Sequence, residues 1–357
     1  LASGRIKKGD TVIESSSGNM ALGLAQTCLY YGLKLIVVVD PKLNSHTEKI
    51  LKTYGVQIEH VTEPKKEGGY LAARLERVQY LLDTIPNSFW SNQYGNPDNP
   101  KTHHKTMTEI MDSLQGKLDY LFVATSTCGT LMGCADFIYE NKLDTKIIAV
   151  DAVGSVLFGG PPLKRLIPGH GAGVPSQFLN TSRIYDHVYV DDVDCARGCW
   201  SLLEKEAILC GGSSGGILSA VKKYSKNIEE GSNCAMFLCD RGERYLDTIY
   251  NPQWLLNELP ESYMENRKTY RIGIIGFGPK GFYGFERLVA HLNKNTFYQL
   301  IEIHIFNTTE YFAAGDVYRT DQPEYLIMNY ANRNINCWSL EEPISNVEET
   351  ADFVSWL

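Results

Sequence analysis

Glu14-Ser15-Ser16-Ser17-Gly18-Asn19 stands between an apolar triplet at 11–13 and a run with helical spacing over 20–31. Ser126-Thr127-Cys128-Gly129-Thr130 repeats the arrangement between an apolar run at 120–124 and a helical pattern at 131–140. A third such segment, Gly211-Gly212-Ser213-Ser214-Gly215-Gly216, lies between helical patterns at 195–207 and 216–226. Outward from these loops, apolar runs at 35–39, 56–60, 146–150, 187–190 and 235–238 read as strands. Helices fit at 46–54, 71–82 and 105–114. Strands alternating with amphipathic helices predict an α/β fold with parallel sheet covered by helices. In such a sheet ligands bind at the loops outside the carboxyl ends of the strands.

The chemistry of the three loops agrees with that placement. Hydroxyls, a glycine and an amide opening a helix at Ser16, Ser17, Gly18 and Asn19 suit a carboxylate, because backbone N–H groups and the helix dipole favour an anion there. The same residues also serve as an ordinary N-cap. Ser126 to Thr130 lets backbone amides approach a phosphate, yet lacks the lysine of a Walker motif and equally suits a tight turn. The four glycines around Ser213 and Ser214 suggest close approach of the backbone to something flat, or a flexible loop.

At 357 residues two domains are expected. Pro260 and the charged stretch Glu265-Asn266-Arg267-Lys268 mark a linker, so the expected division is 1–258, a linker at 259–269, and 270–357. Past the linker, a strand at 270–275 runs into Gly276-Phe277-Gly278-Pro279-Lys280-Gly281 and a helix at 282–292. Gly276, Gly278 and Gly281 then permit a tight turn and a pyrophosphate on the helix N-terminus. The next strand, 300–306, ends in Asn307 where a ribose-binding acid is usual, with Glu310 beyond it.

Hydrophobic residues at 43% and charged residues at 21% are enough for a soluble core. A net charge of -8 argues against a nucleic-acid partner but not against small anionic substrates. The absence of any run of about eighteen apolar residues argues against a membrane span. Nine scattered cysteines imply reduced thiols, hence a cytoplasmic protein, and no zinc knuckle. No metal site is expected: His103 and His104 are adjacent, point apart and read as surface or cap residues, and His170 in its glycine-rich loop reads as structural. Both ends of the chain are expected to be cut through structure.

In order and spacing, these motifs resemble the cysteine synthase family, the fold-type-II (tryptophan synthase β-like) pyridoxal-phosphate enzymes, from Leu1 to Glu258. The resemblance implies a three-layer fold of parallel sheets, pyridoxal 5'-phosphate as cofactor, amino-acid substrates and a homodimer. It assigns Ser16, Ser17 and Gly18 to substrate carboxylate, Asn19 to the cofactor's ring hydroxyl, and Ser126, Thr127, Cys128, Gly129 and Thr130 to its phosphate. Ser213 would face the pyridine nitrogen, and Gln93 in Asn92-Gln93-Tyr94-Gly95-Asn96-Pro97 would touch substrate carboxylate. Gly242-Glu243-Arg244-Tyr245-Leu246 matches a late family signature.

Four regions resemble one branch of the family, which joins O-phospho-L-serine to L-glutamate on the route to 2,3-diaminopropionate and siderophores. They are Val38-Val39-Asp40-Pro41-Lys42, Gly68-Gly69-Tyr70-Leu71 with Arg74, Ala149-Val150-Asp151-Ala152 with Gly154 and Ser155, and Asp240 to Asp247. That branch makes Arg74, Tyr94 and Ser126 substrate-binding. Tyr94 and Ser126 replace a phenylalanine and a glycine and each adds a hydroxyl. By itself Arg74, amid Glu76 and Arg77, reads as a solvated helix face. The family's cofactor-binding lysine maps upstream of Leu1, and Lys7 and Lys8 do not match it, so this chain as it stands is expected to be inactive. Met20 and Ala21 replace a threonine and a glycine after Asn19. Alternatives are a cysteine synthase using sulfide, a serine or threonine dehydratase, and an inactive binding module. Residues 315–323 and 326–329 resemble FAD/NAD(P)-binding proteins, implying FAD or NAD(P) in an incomplete Rossmann-like second domain.

Overall fold

The computed structural model describes residues 4–41, 43–260, 262, 270–294 and 301–307. The chain divides into two compact units, Leu1–Ser262 and Tyr263–Leu357.

The first unit holds two four-stranded sheets. One contains β1 (Thr11–Ser15), β2 (Lys34–Val39), β3 (Gln57–His60) and β4 (Ser88–Trp90) in the order β3-β2-β1-β4. The other contains β5 (Tyr120–Ala124), β6 (Lys146–Ala152), β7 (Asp186–Val190) and β8 (Cys234–Met236) in the order β7-β6-β5-β8. All pairings in both sheets are parallel. Parallel pairing forces each connection to cross over, and helices make the crossovers: α1 (Asn19–Tyr31), α2 (Ser45–Thr53), α3 (Gly69–Thr84), α4 (Asp98–Ser113), α5 (Gly129–Glu140), α6 (Asp192–Glu206) and α7 (Gly212–Tyr224). A short α8 (Pro252–Glu258) follows.

Central strands covered on both faces read as continuous apolar runs, as Leu35 to Val39 does. Alternate residues serve the two layers. Val12, Leu35, Val37 and Val39 pack with Ala21, Ala25 and Cys28 of α1 and Leu51 of α2. Ile13, Ile36 and Val38 pack with Val78 and Leu81 of α3 on the other side. In the second sheet Leu121, Val123, Ile147 and Ala149 meet Met107 of α4 and Leu131, Met132 and Ala135 of α5. Across the sheet, the Phe122 ring meets Tyr224 of α7 edge-on at 5.9 Å. The expected three-layer α/β architecture with parallel sheets is what the unit has.

The strand expectations hold to within two residues, and three differences are informative. The three-residue β4 is too short to show an alternation. Helix α4 begins at Asp98, seven residues before the expected start, because Pro100 falls in the first turn, where a missing N–H costs no helical bond. Helix α7 begins at Gly212, so Ser213 and Ser214 lie in its first turn and not in a flexible loop. The glycines there are packing residues. A Cβ at Gly215 would overlap the Cys195 carbonyl oxygen on α6, and one at Gly198 of α6 would overlap the carbonyl oxygen of Gly215. Helices α6 and α7 therefore touch backbone to backbone.

In the second unit β9 (Tyr270–Ile275) pairs in parallel with β10 (Ile301–Phe306), joined through a helix at Pro279–Lys294. Gly276 has φ of 79°, a value that glycine adopts without strain, and its N–H donates to Phe306 O at 2.7 Å. A Cβ at Gly281 would overlap the Gly276 carbonyl oxygen. Asn307 closes this turn, its Oδ1 accepting from Phe277 N at 3.1 Å. The resemblance at 315–323 and 326–329, and Glu310, lie outside the described residues. No helix among the described residues is long and apolar enough to cross a membrane.

Because the α6–α7 contact has no room for a methyl group, Gly215→Ala should destabilise the first unit by about 1–3 kcal/mol. Urea unfolding followed by circular dichroism measures this. An unchanged midpoint would mean that the helices separate freely.

Candidate active site

The three motif loops follow strands or open helices at one edge of the two sheets. The N-cap residues of α1, α5 and α7 are Gly18, Cys128 and Gly211, and none provides a side-chain cap. By contrast α2, α6 and α8 are capped by Asn44, Asp191 and Asn251. Helices α3 and α4 start at Gly68 and Pro97, also without a side-chain cap. An uncapped helix start leaves backbone N–H groups pointing outward with a partial positive charge, the donor set that a phosphate or carboxylate needs. Pyridoxal phosphate fits the loops on this ground.

Each motif is held from behind. Glu14, fully buried at the end of β1, accepts from Ser15 N at 2.7 Å, Ser91 Oγ at 2.6 Å, Gln93 N at 3.2 Å and Trp90 Nε1 at 3.4 Å. Burial pushes its carboxyl above the ordinary range, and these donors offset part of the rise. Gln93 also donates from Nε2 to Ser15 O at 3.2 Å, and its own carbonyl accepts from Asn99 Nδ2 at 2.7 Å. Glu14 thus ties the Ser16-Ser17-Gly18 loop to Gln93 and Tyr94. Asn19 donates from Nδ2 to Asp240 Oδ2 at 2.8 Å, and its Oδ1 accepts from Arg244 Nη1. Tyr245 OH donates to the same Asp240 oxygen at 2.8 Å.

In the second loop, Thr127 O accepts from Ser176 Oγ at 2.7 Å, and Ser126 Oγ donates to Gly171 O at 3.3 Å. Cys128 is buried with φ of 66°, a left-handed conformation that strains a residue bearing a Cβ. Burial pushes its thiol up to about 11, so it packs as a small neutral group. Thr130 Oγ1 lies 3.1 Å from His103 Nε2, and Thr106 Oγ1 lies 3.3 Å from His103 Nδ1. The surface reading of His103 is therefore corrected: the early start of α4 turns this half-buried ring toward α5. Burial lowers its pKa. His104 sits against Phe137, ring centroids 5.8 Å apart. His170 is buried, Nε2 at 3.0 Å from Val150 O and Nδ1 at 3.6 Å from Cys195 Sγ. Among the described residues no cluster of three or more metal-ligating side chains occurs.

Two cavities adjoin these loops. One of about 800 Å³ is lined by Arg74 and Tyr94 together with Asp40, Arg165, His170 and Arg244, among others. A second, about 260 Å³, is lined by Tyr94, Ser126, Thr127 and Arg165 and the segment 171–177. The structure thus brings Arg74, Tyr94, Ser126 and Thr127 to two adjoining spaces. Ser16, Ser17, Gly18, Asn19, Gln93, Gly129, Thr130 and Ser213 are not in their linings, though Asn19 reaches the larger one through Arg244. Arg74 does not lie on a solvated face: its side chain is 13% exposed, with Nε 3.4 Å from Asp40 Oδ2, too poorly directed for a hydrogen bond. Burial raises the Tyr94 pKa, with Arg74 pulling it down and Glu14 pushing it up. Arg165 carries no motif signal; Glu14 opens the first motif, and Asp240 and Arg244 belong to the late segment, but sequence alone assigns none of the three a role.

Ionising a buried Glu14 opposes folding. Its folded-state pKa lies above the unfolded one, so stability is highest below the ordinary carboxyl pKa and falls as pH rises through the raised value. Glu14→Gln should remove that slope while costing about 1–3 kcal/mol at low pH, since an amide cannot accept from all four donors. Urea midpoints from pH 4 to 8 test both parts; parallel profiles for variant and parent would refute the linkage.

Residues 1–240 match the family described as pyridoxal-phosphate dependent enzymes, and 273–357 match an FAD-NAD(P)-binding family. Among solved structures, the chain is similar to an O-acetylserine dependent cystathionine beta-synthase from Helicobacter pylori, with 28% identity and a TM-score of 0.64 over 70% of this chain and 81% of that one. It is also similar to O-acetyl serine sulfhydrylase isoform 3 from Entamoeba histolytica, with 29% identity and a TM-score of 0.64 over 70% and 74%. With an O-ureido-L-serine synthase it shares 26% identity, with a TM-score of 0.62 over 72% and 79%. The chain belongs to the pyridoxal-phosphate dependent enzymes, with a fold-type-II domain followed by an FAD/NAD(P)-binding domain.

Proposed function

We propose that the first domain carries out β-replacement between O-phospho-L-serine and L-glutamate, giving N-(2-amino-2-carboxyethyl)-L-glutamate and phosphate on the way to 2,3-diaminopropionate. The observation that carries this reading is the placement of Arg74 and Tyr94 on one cavity beside the motif loops. A donor ending in phosphate and an acceptor with two carboxylates need more cationic and hydroxyl groups than neutral reactants do, and a guanidinium meets either anion in a two-pronged fork. The branch-specific segments of the sequence support the same pair of substrates.

When bound, pyridoxal phosphate supplies the electron sink for loss of the donor's α-proton and β-substituent. The uncapped start of α5, with Ser126 to Thr130, would hold its phosphate. Asn19 would meet its ring hydroxyl, and Ser213 its pyridine nitrogen. A neutral serine leaves that nitrogen unprotonated, which favours elimination and replacement over transamination. Ser16, Ser17, Gly18 and Gln93 would hold substrate carboxylate, positioned through Glu14. A dimeric, cytoplasmic enzyme is part of the proposal. Cysteine synthesis with sulfide is the second reading, favoured by the similarity to the sulfhydrylase.

The test uses the full-length protein loaded with pyridoxal phosphate. Phosphate release from O-phospho-L-serine is followed with L-glutamate, with sulfide and with neither, and products are weighed by mass spectrometry. Glutamate-dependent release and an adduct of the expected mass support the proposal. Cysteine as product moves the assignment to the second reading, and pyruvate without an acceptor moves it to a dehydratase. No release points to another donor or an inactive module. In the active enzyme Arg74→Ala should raise KM for one of the two anionic substrates about 10–100-fold, the range of a lost charged hydrogen bond. An unchanged KM for both would remove Arg74 from the site.

A further inference from the structure

Arg165 is the one charged side chain that lines both cavities. Its Nη1 donates to His170 O at 2.6 Å. A Cβ at Gly171 would lie 2.7 Å from Nη1 and one at Gly173 3.8 Å from Nη2, so the guanidinium lies along the glycine-rich loop. Its Nε is buried and has no hydrogen-bond acceptor, and among the described residues no carboxylate forms an ion pair with it. A partly buried cation without a counter-ion is costly unless an anion arrives from outside.

Two neighbours share the unbonded Nε, although each also stands beside a carboxylate, Arg74 beside Asp40 at 3.4 Å and Arg244 beside Asp240 at 3.8 Å. The Nε atoms of Arg74 and Arg244 are also buried without hydrogen-bond acceptors, and both arginines line the larger cavity. With Lys164, that wall carries four cationic side chains against the single carboxylate of Asp40, in a chain whose net charge is -8. Among the described residues neither Asp192 nor Asp151 forms an ion pair with Arg165. Asp192 is occupied as acceptor for the N–H groups of Leu166 and Ile167 at 2.8 and 3.1 Å, and Asp151 accepts from Thr125 Oγ1 and Ala152 N.

We propose that Arg165 is a specificity-determining residue at the centre of a three-arginine anion receptor, which selects substrates with a phosphate or carboxylate beyond the one held at Ser16 to Gly18. The proposal deepens the synthase reading and rests on it for the names of the substrates. The receptor chemistry is common to the donor's phosphate and the acceptor's distal carboxylate. Where the two cavities meet, Arg165 is within the linings of both Ser126 and Arg74, the residues assigned to those substrates.

Titration calorimetry at low salt on this chain, with inorganic phosphate and separately with glutarate, tests the proposal without cofactor or turnover. Arg165→Gln should weaken binding of at least one anion tenfold or more, and Arg165→Lys, which keeps the charge and loses the fork, should fall between. Circular dichroism verifies that both variants are folded. Loss confined to phosphate assigns Arg165 to the donor, and loss confined to glutarate assigns it to the acceptor. Parental affinity for both anions in Arg165→Gln overturns the proposal, as does a parent that binds neither. Glutamate-dependent phosphate release by the full-length enzyme is the separate arm. Its failure beside intact anion binding sinks the synthase reading and leaves the receptor standing.

Discussion

Backbone donors at the starts of crossover helices are the constraint on which the rest of this molecule depends. A parallel strand must pass the chain to a crossover, and the crossover helix then begins above the sheet's carboxyl edge with its first N–H groups unbonded. At Asn44, Asp191 and Asn251 a side chain caps the start, while Gly68 and Pro97 provide none. Gly18, Cys128 and Gly211 provide none either. Starts without a side-chain cap thus coincide with the three motif loops, where anionic groups of a cofactor and substrate would find donors. Packing serves the same end. The buried Glu14 and the backbone contact of α6 with α7 hold the starts of α1 and α7 in place.

Much of this was legible in the sequence because periodicity reports burial. Leu35 to Val39 and Tyr120 to Ala124 are apolar on both faces, and only a central parallel strand requires that. The motif loops were legible because small residues are needed wherever backbone approaches a ligand or another helix. What sequence could not separate is which of the two the approach serves. The glycines around Ser213 face α6 as much as any ligand, and a composition rich in glycine read as a loop where the chain is helical. His103 read as a surface residue because adjacent histidines carry no periodic signal, and its partner Thr130 is 27 residues away. Arg165 and Arg244 were illegible for a related reason. The significance of Arg165 lies in an unbonded Nε between two cavities and that of Arg244 in its reach to Asn19 and Asp240, properties of three-dimensional neighbours and not of local pattern.

Charge is distributed unevenly on purpose-relevant scales. The chain carries a net charge of -8, while a wall with three arginines and a lysine against one carboxylate raises the potential inside one cavity. Asp40 and Asp240 temper the arrangement: one lies beside Arg74, and the other stands 3.8 Å from Arg244 while holding Asn19.

The amide of Asn307 in the second unit has a consequence for the timing of order. By accepting from Phe277 N it clamps the mouth of the Gly276 turn from the neighbouring strand. The loop that would meet a pyrophosphate is thereby shaped when β9 and β10 pair, so its conformational entropy is lost during folding and not at encounter. A nucleotide arriving there would find the cradle already set, and little of its binding energy would be diverted into arranging the protein.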